Sequence, residues 1–257
     1  MAQGLMNRYQ RAGEPAPDLM YVDRGCCRQH GATSVQILFN RWVDAGMVIR
    51  LDAWHWMHRF DAAVRTDSHP KYALFKSALS GALFAYNRAD IELLVKSERA
   101  ASLNKYRELQ DDEVLRHYIS KSILKHHVRR VTLGAQETFR VVDNAIQQLK
   151  GPDGLDDNGI SLFKSAEAID EVWAAQQKHL ECIQDPPGMP MYTVVRQSTR
   201  NGIHLPFYSC IRGNNSLEGF HLHLPRMIPG MLISRTNDLY CFEWCRKLIN
   251  RMTIVYI

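Results

Sequence analysis

The stretch "MVIRLDAWHWMHRF" (residues 47–60) contains the pattern that decides the fold. Its opening residues are apolar apart from Arg50, which predicts a short buried strand that ends at Asp52. Helical spacing begins directly afterwards, and His55 stands three residues beyond Asp52 between two tryptophans. The stretch therefore predicts a strand that passes straight into a helix, with a carboxylate and an imidazole at the junction.

A second strand and a connecting helix precede this junction. The run "DLMYVD" (18–23) predicts a buried strand that ends at Asp23, and "SVQILFNRWVDAG" (34–46) has apolar residues near helical spacing before a glycine stop. Strand, helix and strand in this order are typical of a βαβ unit. Residues 1–17 are polar, with glycines and two prolines, and predict a loose leader.

Most of the chain from residue 53 to about residue 180 has the spacing of amphipathic helices. The predicted helical stretches are 69–87, 89–104, 111–131, 135–150 and 165–183. Short apolar and turn elements return at 204–215, and residues 216–230 predict a short helix that ends at a proline. The interpretation is an α/β protein with a long helical segment.

The composition is that of a soluble globular protein, with 46% hydrophobic and 23% charged residues. The net charge of +5 permits an anionic partner such as DNA or RNA without requiring one. No window approaches the ~20 apolar residues of a membrane helix, and the N-terminus lacks the apolar centre of a secretory signal. We therefore expect an intracellular protein with no membrane contact.

The six cysteines are scattered and form no CxxC pair, so the sequence does not indicate a zinc site. Cys26, Cys27 and His30, in "CCRQH", could supply metal ligands. Buried reduced thiols are the favoured interpretation.

Three carboxylates stand at the ends of predicted elements. Asp23 and Asp52 close strands, and Glu218 opens a helix. Acids in such positions can converge on divalent metal ions, which suit carboxylate oxygens. Each acid also has a structural alternative. Asp23 fits a turn, Asp52 fits a helix N-cap, and Glu218 lies at capping-box spacing after Asn215.

Three segments in order, "YVDRGCC", "RLDAWHWMHRF" and "GNNSLEGFHLHL", resemble blocks of DDE transposases with a ribonuclease H-like fold. The pattern is similar to the broad Mutator, hAT and Zisupton/Kyakuja/Dileera group, and within it most to the Zisupton-like subgroup. In that group the second catalytic Asp ends a core strand, as Asp23 does. A Cys-or-Asp, two residues and His follow, matched by Asp52 and His55. The third acid stands in Asn-x-x-Glu-Gly, matched by residues 215–219 with Glu218.

The resemblance implies a partial ribonuclease H-like core with a long all-helical insertion. Its parts would be a leader (1–17), the first part of the core (18–60), the helical insertion (61–203), the last core segment (204–230) and an unplaced tail (231–257). Asp23 and Glu218 would be the catalytic metal ligands, and Asp52, His55 and His221 accessory groups. The implied cofactor is Mg²⁺ or Mn²⁺. The implied partner is DNA, a homo-oligomer is allowed, and the implied location is nuclear.

One departure from the family pattern limits the expected activity. The first catalytic Asp of the family lies on a strand well upstream of the second, and only 22 residues precede Asp23. We therefore expect that ligand to be absent and DNA cutting and joining by two-metal phosphoryl transfer to be lost. The alternative function is a non-catalytic DNA- or protein-binding module on the same scaffold.

Other residues suggest how DNA could be contacted. On a helix through "KSILKHHVRRV" (121–131), Lys121, Lys125, Arg129 and partly Arg130 would share one face, a candidate stripe for phosphate contacts. The alternative is a solvated basic face. Trp54 could stack on a base, although a core tryptophan is the favoured interpretation.

Overall fold

Two short parallel strands, Leu19–Val22 (β1) and Val48–Leu51 (β2), organise the fold around the predicted junction. They pair in register from Leu19 opposite Val48 to Val22 opposite Leu51. The structure is a computed structural model that describes residues 2–28, 30–102 and 104–213. Both predicted strands and their βαβ connection are confirmed, and the fold is mixed α/β with small sheets.

The connection between β1 and β2 is two short helices rather than one. They are Ser34–Leu38 (α2) and Asn40–Asp44 (α3), and Phe39 between them leaves helical geometry. Thr33 caps α2 by accepting a hydrogen bond from the backbone N–H of Gln36, whose side chain accepts in return from the Thr33 N–H.

The remaining elements follow in chain order. After β2 they are Ala53–Arg59 (α4), a 3₁₀ turn at Phe60–Ala63, Tyr72–Leu83 (α5), Phe84–Tyr86 (β3), Arg88–Ala101 (α6), Asp111–Tyr118 (α7), Lys121–His127 (α8), Arg130–Thr132 (β4), Ala135–Lys150 (α9), a 3₁₀ turn at Pro152–Gly154, Ala166–Gln177 (α10), Tyr192–Arg200 (β5) and Ile203–Cys210 (β6). Before β1, residues Ala2–Ala12 form the N-terminal helix α1.

Both faces of β1 are covered, which is why its sequence is apolar without alternation, whereas β2 alternates between half-buried and buried residues. Met20 and Val22 of β1 point into the main core, which also contains Trp56 and Phe60. Leu19 and Tyr21 point the other way and pack on Met191 and its neighbours. The main core extends through α5, α9 and α10, so the parallel pair is held from several directions.

The predicted loose leader is wrong, because residues 2–12 form helix α1. Met6 is only 2% exposed in the main core, and the ring of Tyr9 lies edge-on to Trp42 with centroids 4.9 Å apart. Arg41 adds hydrogen bonds to the side chains of Asn7 and Gln10. Apolar residues at three- and four-residue spacing were present, but the polar residues between them obscured the pattern.

The predicted all-helical segment is largely helical but contains strands. β3 pairs antiparallel with β4, and β5 with β6. Residues 111–131 form two helices and a strand because Ser120 leaves helical geometry and caps α8, accepting from the Ile123 N–H. The β5–β6 hairpin turns at Asn201 and Gly202, with φ of +52° and +79°. An Asn-Gly pair is a strong hairpin signal that the sequence analysis missed.

Among the residues that the structure describes, no helix combines the length and the apolar character that a membrane span requires. The end of the predicted last core segment and the predicted tail fall after residue 213, outside the described residues.

Candidate functional site at the carboxyl ends of the parallel strands

Asp23 and Asp52 directly follow β1 and β2, so both begin at the same edge of the parallel pair. The backbone N–H of Asp52 donates to the carbonyl oxygen of Val22 at 2.9 Å, which extends the pairing to these positions. Adjacent strands lie only ~4.8 Å apart, and the carboxyl ends of parallel strands are where α/β folds bind ligands. The two acids are therefore neighbours at the edge of the pair where α/β folds commonly place a ligand site.

Asp52 is the N-cap of helix α4, the structural alternative predicted from its sequence position. Its Oδ2 accepts from the His55 backbone N–H at 3.0 Å, which caps α4, and lies 3.0 Å from His55 Nδ1. Its other oxygen faces Gly213, where an ideal Cβ would come within 2.9 Å of it. Gly213 also has a φ of +75°, so glycine is required there both by space and by backbone conformation.

The Asp23 carboxylate has fewer hydrogen bonds than that of Asp52. Its Oδ1 is buried and has no hydrogen-bond partner among the described residues. Its backbone carbonyl accepts a hydrogen bond from Arg59, whose guanidinium also donates to Gln176 on α10 at 3.1 Å. A buried carboxylate oxygen without a partner is costly and commonly marks a site for a cation or an ordered water. Asp23 is thus the acid available for a ligand.

A shallow, widely open depression of about 540 Å³, called the cleft below, lies beside Asp23. It is lined by Asp23, Arg24, His55, His58 and Arg59. One carboxylate among two guanidinium groups and two imidazoles suits an anionic ligand, with or without a cation on the acid. The sequence analysis had not assigned Arg24, His58 or Arg59 to the site, because only the turn of α4 brings them together.

The two tryptophans that flank His55 differ in their surroundings. Trp56 is fully buried in the core, whereas Trp54 is 44% exposed. The ring of Trp54 lies 3.8 Å from that of His58, which lines the cleft. The favoured core interpretation is therefore wrong for Trp54, which offers an accessible aromatic surface next to the cleft.

A second cluster lies just beyond Asp23 in the sequence. Cys26 and Cys27 meet His179 and Cys182, which follow α10, and the ligand atoms of all four lie within 4.8 Å of one another. His30, which the sequence offered as a possible companion ligand, is exposed and is not a member of the cluster. The missed signal was the His-x-x-Cys spacing of "HLEC" (179–182).

Two thiols of this cluster, those of Cys27 and Cys182, have raised pKa values in the metal-free chain. A hydrogen bond with Cys26, followed by burial, raises the pKa of Cys182 to about 12. Burial also raises the pKa of Cys27. A catalytic cysteine needs a lowered pKa to supply thiolate at neutral pH. These two thiols therefore do not have the chemistry of a cysteine nucleophile.

The predicted basic stripe is only partly formed. α8 ends at His127, so Arg129 and Arg130 do not continue its face. Arg129 instead donates to both carboxylate oxygens of Asp90 at 2.8 and 2.9 Å. Arg130 lies over the rings of Phe84 and Tyr86. The two lysines of α8, Lys121 and Lys125, are exposed.

Glu218, His221 and the Asn215–Gly219 motif lie outside the described residues. Searches of protein-family models, of curated proteins and of solved structures each find no significant match. The geometry of the described residues is thus the basis for a functional proposal.

Proposed function

We propose that this chain is a transposase-derived protein with a partial ribonuclease H-like core that binds DNA at the cleft beside Asp23. One observation carries the proposal. Asp23, whose Oδ1 has no partner among the described residues, ends a parallel strand next to Asp52 in a cleft lined by cationic side chains. A DNA partner also fits the net charge of +5 and implies a nuclear location.

The side chains around the cleft match the chemistry of a DNA strand. Arg24 is exposed at the cleft wall, where its guanidinium can pair with phosphate oxygens. Arg59 adds positive charge, although its guanidinium already donates to Gln176 and to the Asp23 carbonyl. Trp54 presents its ring beside His58, and exposed aromatic rings stack on splayed bases. Contacts with the phosphate backbone of the DNA and with its bases could thus be made on the surface around the cleft.

A divalent ion is part of the proposal. The orphaned oxygen of Asp23 fits a Mg²⁺ or Mn²⁺ ligand, since both ions prefer carboxylate oxygen. Glu218 is the proposed second ligand, and Gly213, five residues before it in the sequence, already lies against Asp52. When bound, such an ion neutralises charge on a phosphate and activates an attacking oxygen. Asp52 and His55 support the site by fixing the start of α4.

We expect little or no DNA cleavage by this chain. Phosphoryl transfer of this kind needs two ions held in close geometry by several carboxylates. Asp23 is the only carboxylate among the described residues that line the cleft, and Oδ2 of the neighbouring Asp52 is engaged as a cap. The proposed activity is therefore binding rather than catalysis.

A second candidate function, a non-catalytic binding module, uses a different surface. The ring of His126 stacks on Phe207 at 4.4 Å, and the Arg196 guanidinium lies over the same ring at 4.4 Å. Lys121 and Lys125 extend from the helix that carries His126. This group of cations around an aromatic ring could bind a nucleic acid or an acidic protein without any role for Asp23.

Binding of Mn²⁺, followed by electron paramagnetic resonance, tests the metal part. We expect Asp23→Asn and Glu218→Gln each to weaken Mn²⁺ binding by about tenfold or more, as loss of a ligand contact does. Asp157→Asn, a change at an exposed loop acid, is the matched control. Equal Mn²⁺ affinity in wild type and Asp23→Asn would overturn the proposed metal site.

A strand-cleavage assay tests the expected inactivity. Labelled duplex DNA and supercoiled plasmid would be incubated with the chain in Mg²⁺ and in Mn²⁺. We expect both substrates to remain intact. Robust cleavage that disappears in Asp23→Ala would show an active catalytic centre and contradict the proposal of a binding protein.

A further inference from the structure

The cluster of Cys26, Cys27, His179 and Cys182 shares no residue with the lining of the cleft, and a metal ion bound there does not depend on the proposed function of the cleft. We propose that these four residues bind one structural zinc ion. Three thiolates and one imidazole are a common structural zinc ligand set. Soft sulfur ligands in a tetrahedral arrangement select zinc over Mg²⁺ or Mn²⁺. The two pairs come from segments about 150 residues apart, so their convergence is a property of the folded chain.

The spacing of the ligand atoms agrees with tetrahedral coordination. Zn–S bonds of ~2.3 Å and Zn–N bonds of ~2.0 Å place two sulfurs ~3.8 Å apart and a sulfur and a nitrogen ~3.5 Å apart. The Sγ atoms of Cys26 and Cys27 are 3.8 Å apart, and each lies 3.2 Å from His179 Nδ1. Small adjustments would bring all four atoms onto one ion.

The Cys27 thiol can also donate to the Lys178 carbonyl at 3.6 Å, but a metal ion would satisfy both sulfur atoms and the imidazole at once. A neutral imidazole nitrogen has either one lone pair or one proton, so it makes one good hydrogen bond. His179 Nδ1 nevertheless has two sulfur atoms at the same short distance. A single cation that accepts electron pairs from all three atoms explains the convergence.

The site is closed and tied to the backbone, as a structural site requires. Cys26 and His179 are each only 8% exposed, Cys27 and Cys182 are half-buried, and four protein ligands leave no open position for a substrate. Backbone hydrogen bonds fix the ligand segment, with the His179 N–H donating to Gln176 and the Ile183 N–H to the His179 carbonyl. The ion would join the end of β1 to the end of α10.

The test is metal content and coordination of the full chain purified without chelator. We expect about one zinc per chain by mass spectrometry of metals, and a Co²⁺-substituted protein with the intense visible absorption of a tetrahedral thiolate site. His179→Ala and Cys182→Ser should abolish both signals. Cys210→Ser, at an exposed cysteine outside the cluster, should leave both unchanged.

X-ray absorption of the wild-type chain provides a measurement that needs no variant, in case the cluster variants fail to fold. We expect a zinc shell of three sulfurs at ~2.3 Å and one nitrogen at ~2.0 Å. A folded wild-type chain that neither retains nor takes up zinc would overturn the proposal. A disulfide joining Cys182 to Cys26 or Cys27 in the freshly purified chain, found by mass spectrometry, would also overturn it.

Discussion

The carbonyl oxygen of Cys182 accepts a hydrogen bond of 2.8 Å from the backbone N–H of Leu51. Leu51 is the last residue of β2 and immediately precedes Asp52. The Cys–His cluster therefore contacts the outer edge of the strand that leads into the cleft, while Cys26 and Cys27 follow the end of β1. Order at the cluster and order at the cleft are coupled through these two strand ends.

Removal of zinc should consequently destabilise the whole fold. A ligand present at ~1,000 times its Kd stabilises the native state by about 4 kcal/mol. We expect a strong chelator to lower the thermal midpoint of the wild-type chain by several degrees and added zinc to restore it. Calorimetry with and without chelator checks this. A chelator-insensitive midpoint in a zinc-loaded chain would contradict the coupling.

Asp52 is predicted to act first as a helix cap. Asp52→Ala removes the acceptor for the His55 N–H and should cost about 0.5–2 kcal/mol of unfolding free energy. Asp52→Asn keeps a capping oxygen and should lose clearly less, as urea denaturation would show. If both variants lost the same unfolding free energy, the main stabilising contribution of Asp52 would be the interaction of its carboxylate with the His55 ring rather than the helix cap.

The N-terminal helix is predicted to be part of the core. Met6→Ala should lower the unfolding free energy by about 2–3 kcal/mol, because it removes a buried side chain between α1 and the main core. Arg8→Ala, on the exposed side of the same helix, should change it by less than about 0.5 kcal/mol. Equal effects of the two changes in urea denaturation would contradict the packing of α1.

The strand–helix junction could be predicted from the sequence because its signals are local. Apolar runs that end at Asp23 and Asp52, and a helix that begins at Ala53, depend on neighbouring residues only. The Cys–His cluster could not be predicted, because its halves are brought together by tertiary packing. Most of the cationic lining of the cleft is local, because His55, His58 and Arg59 lie at i, i+3 and i+4 on α4. Only Arg24 is added to it by tertiary packing. The β5–β6 hairpin was predictable from Asn201-Gly202 and was missed because the family resemblance assigned residues up to 203 to an all-helical insertion.

Arg129 is predicted to stabilise the fold rather than to contact DNA. Asp90 is only 7% exposed, so Arg129→Met leaves a buried carboxylate without its main charged partner. Because the arginine side chain is 40% exposed, we expect Arg129→Met to lower the free energy of unfolding by about 2–3 kcal/mol. Breaking a fully buried pair costs more, ~3–5 kcal/mol. Arg116→Ala breaks an exposed pair with Asp112 and should cost under about 1 kcal/mol in the same urea assay. Similar losses would contradict this role.

Binding of a fluorescent DNA duplex, followed by anisotropy over a range of salt concentrations, tests the proposed cleft most directly. We predict that Arg24→Ala weakens binding and lowers the slope of log K against log salt by about 1, as loss of one phosphate contact does. The double change Lys121→Ala and Lys125→Ala, and the control Arg116→Ala, should bind like wild type. Wild-type affinity in Arg24→Ala, with binding lost in the double lysine variant, would contradict the cleft and place DNA on the surface of α8.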